Sequence, residues 1–205
     1  MKTKIYNIAI LFVLLFGACT NLDPIWYDKV TPETFYKTEK DIYSAMGRPF
    51  THFNWYLGDT WIAQEATTDH FCILTKGVNF GGDFERLQHH DWDPNVGWVA
   101  NGWSGATMGI TLCLDVIGDL ETINYQNLGL TEANRADHIA QLKTLMAYFY
   151  MRGLDFYGGM PIYETIDDKT LKPRNTDQET FDFIENLLKD ALTKLPELSW
   201  ADKSV

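Results

Sequence analysis

The 205-residue sequence is short of cations, of cysteine and of long apolar runs. Lysine and arginine number 17 against 28 acids, which sets the formal charge at −11. Nothing offers a basic face to phosphates, and this argues against a nucleic-acid binder. With only three cysteines, the fold must rest on its core rather than on a disulfide framework, and the length allows a core large enough for one or two domains. The one unbroken apolar run, residues 8–16, is too short to cross roughly 30 Å of hydrocarbon, which takes about 20 apolar residues. What is present is 45% hydrophobic and 22% charged, the balance of a soluble globular protein rather than a disordered, collagenous or coiled-coil chain. Aromatics reach 14% and include seven tryptophans, which hints at a surface that stacks on something.

The first residues read as a targeting segment. Lys2 and Lys4 precede the apolar run, small Gly17 and Ala18 follow it, and Cys19 comes next. That order resembles the bacterial lipoprotein signal, with Cys19 as the lipidation site and residues 1–18 removed. Several acyl chains anchor a protein stably where one does not. Loss of two lysines and no acid would leave 187 residues at −13. Residues 19–30 read as an extended tether and residues 31–205 as the folded part. Cys72 and Cys113 could form a disulfide, but both lie in apolar patterns, which favours two buried thiols.

The rest reads as mainly α. Thr31-Pro32-Glu33 and Thr38 are helix starts, and Gly47 with Pro49 is expected to stop the helix that begins at Thr38. Residues 50–70 look helical and rich in aromatics. Residues 71–102, with five glycines and the tryptophans 92 and 98 interleaved, read as a long irregular region. Trp103, Ala106, Ile110, Leu114 and Ile117 recur at one helical stripe, predicting a helix over about 103–122. A helix over 132–157 presents Ile139, Leu142, Met146, Phe149 and Gly153, and Gly158-Gly159 ends it. An extended linker covers about 159–175. The capping box Thr176-Asp177-Gln178-Glu179 opens the last helix, with Phe181, Ile184, Leu188, Leu192 and Leu195 as its inner face. The last two helices look like a degenerate tetratricopeptide pair.

Several stretches together resemble one family, the SusD/RagB outer-membrane nutrient-binding lipoproteins. These are Asn21-Leu22-Asp23 after the lipid cysteine, Thr31 to Tyr36 with Thr38 to Asp41, Gly81 to Glu85, and His90-Asp91-Trp92. The most specific runs from Leu145 to Arg152 and on through Asp155-Phe156-Tyr157-Gly158-Gly159-Met160-Pro161, followed by Arg174-Asn175-Thr176. The resemblance implies a helical fold of tetratricopeptide-like pairs with an irregular Trp/Gly-rich region. It implies lipid anchoring on the outer face of the outer membrane. It also implies a partner, a SusC-like TonB-dependent barrel transporter, to which oligosaccharide or another nutrient is delivered without catalysis. Members of the family are much longer, so the chain is expected to match their N-terminal part.

For glycan contact, flat indole rings bury the C–H face of a sugar while amides and carboxylates satisfy its hydroxyls. Trp98, Asn101 and Trp103, spaced by Gly97 and Gly102, suit this, and Trp92 between Asp91 and Asp93 is a second choice. The bland alternative is that these rings fill the core, most of all Trp103 on its helical stripe. Glu65 and Asp69, four apart, would share one helix face and could serve a secreted glycoside hydrolase, although such pairs are commonly just solvated. A tetratricopeptide interaction module without a ligand site is the third reading. His89 and His90 are adjacent and do not converge on one metal, and no phosphate loop, nucleophile elbow or EF-hand appears. No cofactor is expected.

Overall fold

The structure, a computed structural model, describes residues 31–70, 72–73 and 82–197. The signal segment 1–18, Cys19 and the tether 19–30 lie outside them. The described elements are helical: α1 (Pro32–Phe35), α2 (Glu39–Ala66), α3 (Asp83–Gln88), α4 (Gly97–Thr122), a 3-10 turn (Gln126–Leu128), α5 (Glu132–Tyr157) and α6 (Asp177–Leu192). There is no strand among the described residues. None of these helices is long and apolar enough to cross a membrane.

Three helix starts are set by local chemistry. The Asp41 carboxylate accepts from the Thr38 amide at 2.7 Å and from its hydroxyl at 2.9 Å. Thr131 pairs likewise with Asn134, and Thr176 with Glu179. Each pair satisfies amides that a helix start leaves without partners. The sequence bounds of α5 and the start of α6 are met by these caps and by the Gly158 terminus.

Two expectations about the elements before α5 are corrected. Gly47 and Pro49 do not stop the first long helix; α2 runs through both. An interior proline costs about 3 kcal/mol by removing one hydrogen bond and crowding a carbonyl. Here the ring itself is buried, on a stripe with Ile42, Met46, His52, Tyr56 and Thr60, and that burial offsets the cost. The irregular region is also narrower than 71–102, since α3 occupies 83–88 and α4 starts at Gly97, six residues before its first predicted turn. Trp98, Asn101 and Gly102 therefore sit on a helix.

α2, α4, α5 and α6 alternate in direction. His52 Nε2 donates to the Gly105 carbonyl (2.8 Å) and Tyr56 Oη to the Gly102 carbonyl (3.2 Å), so α2 and α4 are antiparallel. Tyr157 Oη donates to the Val99 carbonyl at 2.6 Å, which sets α5 against α4 in the same way. The Lys143–Asp190 ion pair (2.8 Å) and the Tyr150–Phe183 ring contact (5.1 Å) do so for α6 against α5. Close approach comes from Gly102, Gly105 and Gly109, a stripe of α4. A Cβ on Gly105 would lie 2.5 Å from the Tyr56 ring, and one on Gly109 would lie 2.5 Å from the Phe149 ring. The main core gathers there around Tyr56, Ile110, Phe149, Tyr150 and Met160.

The inner face of α6 differs from expectation. Thr180, Ile184 and Ala191 are buried, with Phe183 and Leu187 packed on the core, whereas Phe181, Leu188 and Leu192 are exposed. The hydrophobic count favoured the larger side chains. The antiparallel fit to α5 instead selects the stripe that carries Thr180, Phe183, Ile184, Leu187 and Ala191. Cys113 is buried as expected, Cys72 is exposed, and both are free thiols. Burial pushes the Cys113 thiol up to about 12, so it stays protonated.

Candidate functional site

Past α3 the chain turns at His90, whose backbone is left-handed (φ 57°). The His90 ring sits 3.0 Å, by its Nε2, from the Thr67 carbonyl at the end of α2, and its face lies 5.2 Å from the Trp92 ring. This contact ties the Trp92 loop back to α2. Arg86 closes the loop from below: its guanidinium donates to the Asp91 carbonyl at 2.9 Å and to Asp93 at 3.0 Å. The Asp93 carboxyl also accepts from the Asn95 amide, and these bonds hold it below the usual carboxylate range.

α4 then starts without a side-chain cap of its own. Asp83, from the first turn of α3, accepts from the Gly97 amide at 2.9 Å. A Cβ at Gly97 would stand 3.1 Å from that carboxylate oxygen. The pair locks α3 to the start of α4, over a small core of Phe84, Leu87, Val96 and Ala66. Trp98 packs on this core, 5.3 Å from the Phe84 ring.

These elements enclose a cavity of about 170 Å³. Trp92, Trp98 and Asn101 line it, together with Tyr56, Asp59, Thr60 and Tyr157 among others. Trp92 is 44% exposed, so its ring is available at the rim. Trp103 does not line this cavity. It meets Tyr157 edge-on at 5.3 Å and packs against the main core, the bland reading its helical stripe suggested.

Most polar groups of the lining are engaged. Thr60 donates to the Tyr56 carbonyl (2.7 Å), Thr67 to the Gln64 carbonyl (2.7 Å), and the two tyrosines to α4 as above. Burial drives the Tyr157 phenol up to about 12, and Tyr56 higher, so both remain hydrogen-bond donors at neutral pH. Two lining groups differ. The side chains of Asp59 and Asn101 make no hydrogen bond or ion pair among the described residues. Burial raises the Asp59 carboxyl above its ordinary value.

Sequence reading placed Trp92, Trp98 and Asn101 but missed Tyr56, Asp59, Thr60, Phe156 and Tyr157. The first three lie on one face of α2, which was legible only if that helix was carried past Pro49. Tyr157 was singled out as part of a family block and not as a lining residue.

The hydrolase premise fails on geometry. α2 ends at Ala66, so Asp69 lies in the following turn and does not share a helix face with Glu65. Neither lines the cavity. No group of three or more potential metal ligands exists among the described residues.

No family model matches the chain. A SusD-like protein of Bacteroides ovatus is 26% identical over an alignment that takes in all of this chain and 38% of that protein. Among solved structures, a laminarin binding SusD-like protein superposes with a TM-score of 0.66 at 17% identity, over 82% of this chain and 37% of the other. Surface glycan-binding protein A from Bacteroides uniformis gives 0.66 at 18%, over 82% and 38%. The chain spans about two fifths of the length of each of these proteins. By sequence the chain is similar over its whole length to part of a SusD-like protein, and its mainly helical fold is shared with parts of these two solved structures.

Proposed function

We propose that this chain serves as a cell-surface glycan-binding lipoprotein, held to the outer membrane through lipid on Cys19. It captures an oligosaccharide at the pocket rimmed by Trp92 and Trp98 and passes it to a SusC-like TonB-dependent transporter, with no chemistry of its own. The observation that carries this reading is the cavity itself. Two indole rings and a carboxamide singled out from sequence converge on one opening, beside an unpaired carboxylate. Aromatic faces with a few free polar groups are what a sugar ring requires. The volume suits one ring of a chain rather than a whole drug-sized ligand, for which about 300 Å³ or more is usual. Relatives described as laminarin binding and surface glycan-binding support the same reading.

The test is calorimetric titration of the full chain with neutral oligosaccharides, beginning with laminarin fragments. Trp98→Ala and Trp92→Ala should each weaken binding about tenfold, because a lost stacking contact of this size is about 1.4 kcal/mol. Undiminished affinity in both variants would place the ligand elsewhere. For the anchor, Cys19→Ala should release the protein from membranes, and continued membrane association would refute it.

A further inference from the structure

The charge inside the pocket is one-sided. Asp59 is the single ionisable acid or base among the described lining residues, tyrosines aside. It stands on α2 one turn after Tyr56, half-buried and without a partner among the described residues. Two nearby cations are held by other groups, although the Arg152 Nε is buried without a partner among the described residues. Arg86 is bound to Asp93 at 3.0 Å. Arg152, buried behind Phe156, donates to Gln64 at 2.6 Å, lies 3.7 Å from Asp155, and covers the Phe156 ring at 4.8 Å. No lysine or arginine is part of the lining among the described residues.

Resting on the glycan reading above, we propose that Asp59 makes this pocket selective for uncharged sugar rings and against acidic glycans. A carboxylate has only acceptors, up to four lone-pair sites, and adjacent sugar hydroxyls can donate to both of its oxygens. Asn101, from the first turns of α4, contributes both a donor and an acceptor, so a hydroxyl can be met in either sense. A uronate or sulfate brings acceptors to an acceptor and negative charge to negative charge. Low local polarity magnifies that repulsion, and no cation among the described lining residues offsets it. Burial has already raised the cost of ionising Asp59, and a second anion in the same cavity raises it further.

The probes are neutral β-glucan oligosaccharides and the same oligosaccharides oxidised at the primary hydroxyl to carboxylates. Binding is measured at neutral pH by calorimetry on the full chain. The wild type should bind the oxidised form at least about tenfold more weakly than the neutral one. In Asp59→Asn, which keeps the size and an acceptor, the ratio should shrink to about threefold or less. Asn101→Asp should widen it instead, and thermal melts would verify that both variants fold. Equal binding of the two forms by the wild type, or a ratio that Asp59→Asn leaves unchanged, would overturn the selectivity while leaving glycan binding in place. Failure of both neutral and oxidised forms to bind would overturn the glycan reading, and the selectivity with it.

Discussion

Tyr157 belongs to two regions with opposite treatment of their polar groups. Its carbonyl accepts from Arg174, in the turn that leads from α5 toward α6. Its ring lines the aromatic pocket. In the turn, the backbone groups of Gly159 and Met160 all have partners. Arg174 also donates to the Gly159 carbonyl at 2.7 Å, and the Gly159 amide donates to Asp177 at 2.6 Å. The Met160 amide donates to Thr180 at 3.0 Å, and its carbonyl accepts from Asn175 at 3.2 Å. In the pocket, Asp59 and Asn101 are left open. A clasp gains stability by completing its hydrogen bonds, whereas a recognition surface has to keep some unmade for a ligand.

The sharpest way to break this comparison is to fill the clasp. A Cβ at Gly159 would collide with the Asn175 carbonyl. Gly159→Ala should cost about 3 kcal/mol of stability, read from urea unfolding, because backbone cannot step aside as a side chain can. Gly109→Ala strikes the Phe149 ring in the shared core and should cost about 2 kcal/mol by the same measurement.

A pH titration probes a third place. His138 is buried, with its Nδ1 3.2 Å from the Tyr125 hydroxyl and the centre of its ring 5.4 Å from that of Tyr43, edge to face. Burial lowers its pKa, outweighing the opposite pull of Asp137 and Glu39. The unfolded chain therefore takes up the proton first, and stability should fall as pH drops below about 6.5 and onward through the folded value. His138→Phe should flatten that limb in unfolding measured from pH 7 to 5. The smallest effect on stability belongs to the pocket rim. Trp92→Ala should change the unfolding free energy by less than about 0.5 kcal/mol while weakening glycan binding, and a large loss of stability would erase the distinction between the two regions.

Much of the fold was legible because it is written in local chemistry. The capping box at Thr176, the Gly158 terminus and the apolar stripe of α5 each act within a few residues, and the structure keeps them. Pro49 misled because its penalty is local while its compensation, burial against neighbouring helices, is not. Phe181, Leu188 and Leu192 misled in the reverse sense, since hydrophobicity alone does not say which stripe of a helix meets a partner. Asp83 gave no sign that it would cap a helix fourteen residues downstream.

The sequence by itself determined the helical class, the ends of α5 and the start of α6, and the concentration of tryptophan ahead of the last two helices. Composition, spacing and capping are properties of short stretches of chain. Only the tertiary structure decided that Trp92 and Trp98 face one cavity while Trp103 packs on the core, and that Asp59 stands beside them without a partner among the described residues. Those outcomes depend on how α2, α4 and α5 approach one another. That approach is set by the glycines of α4 and the rings they admit, contacts between residues roughly forty to fifty-five positions apart.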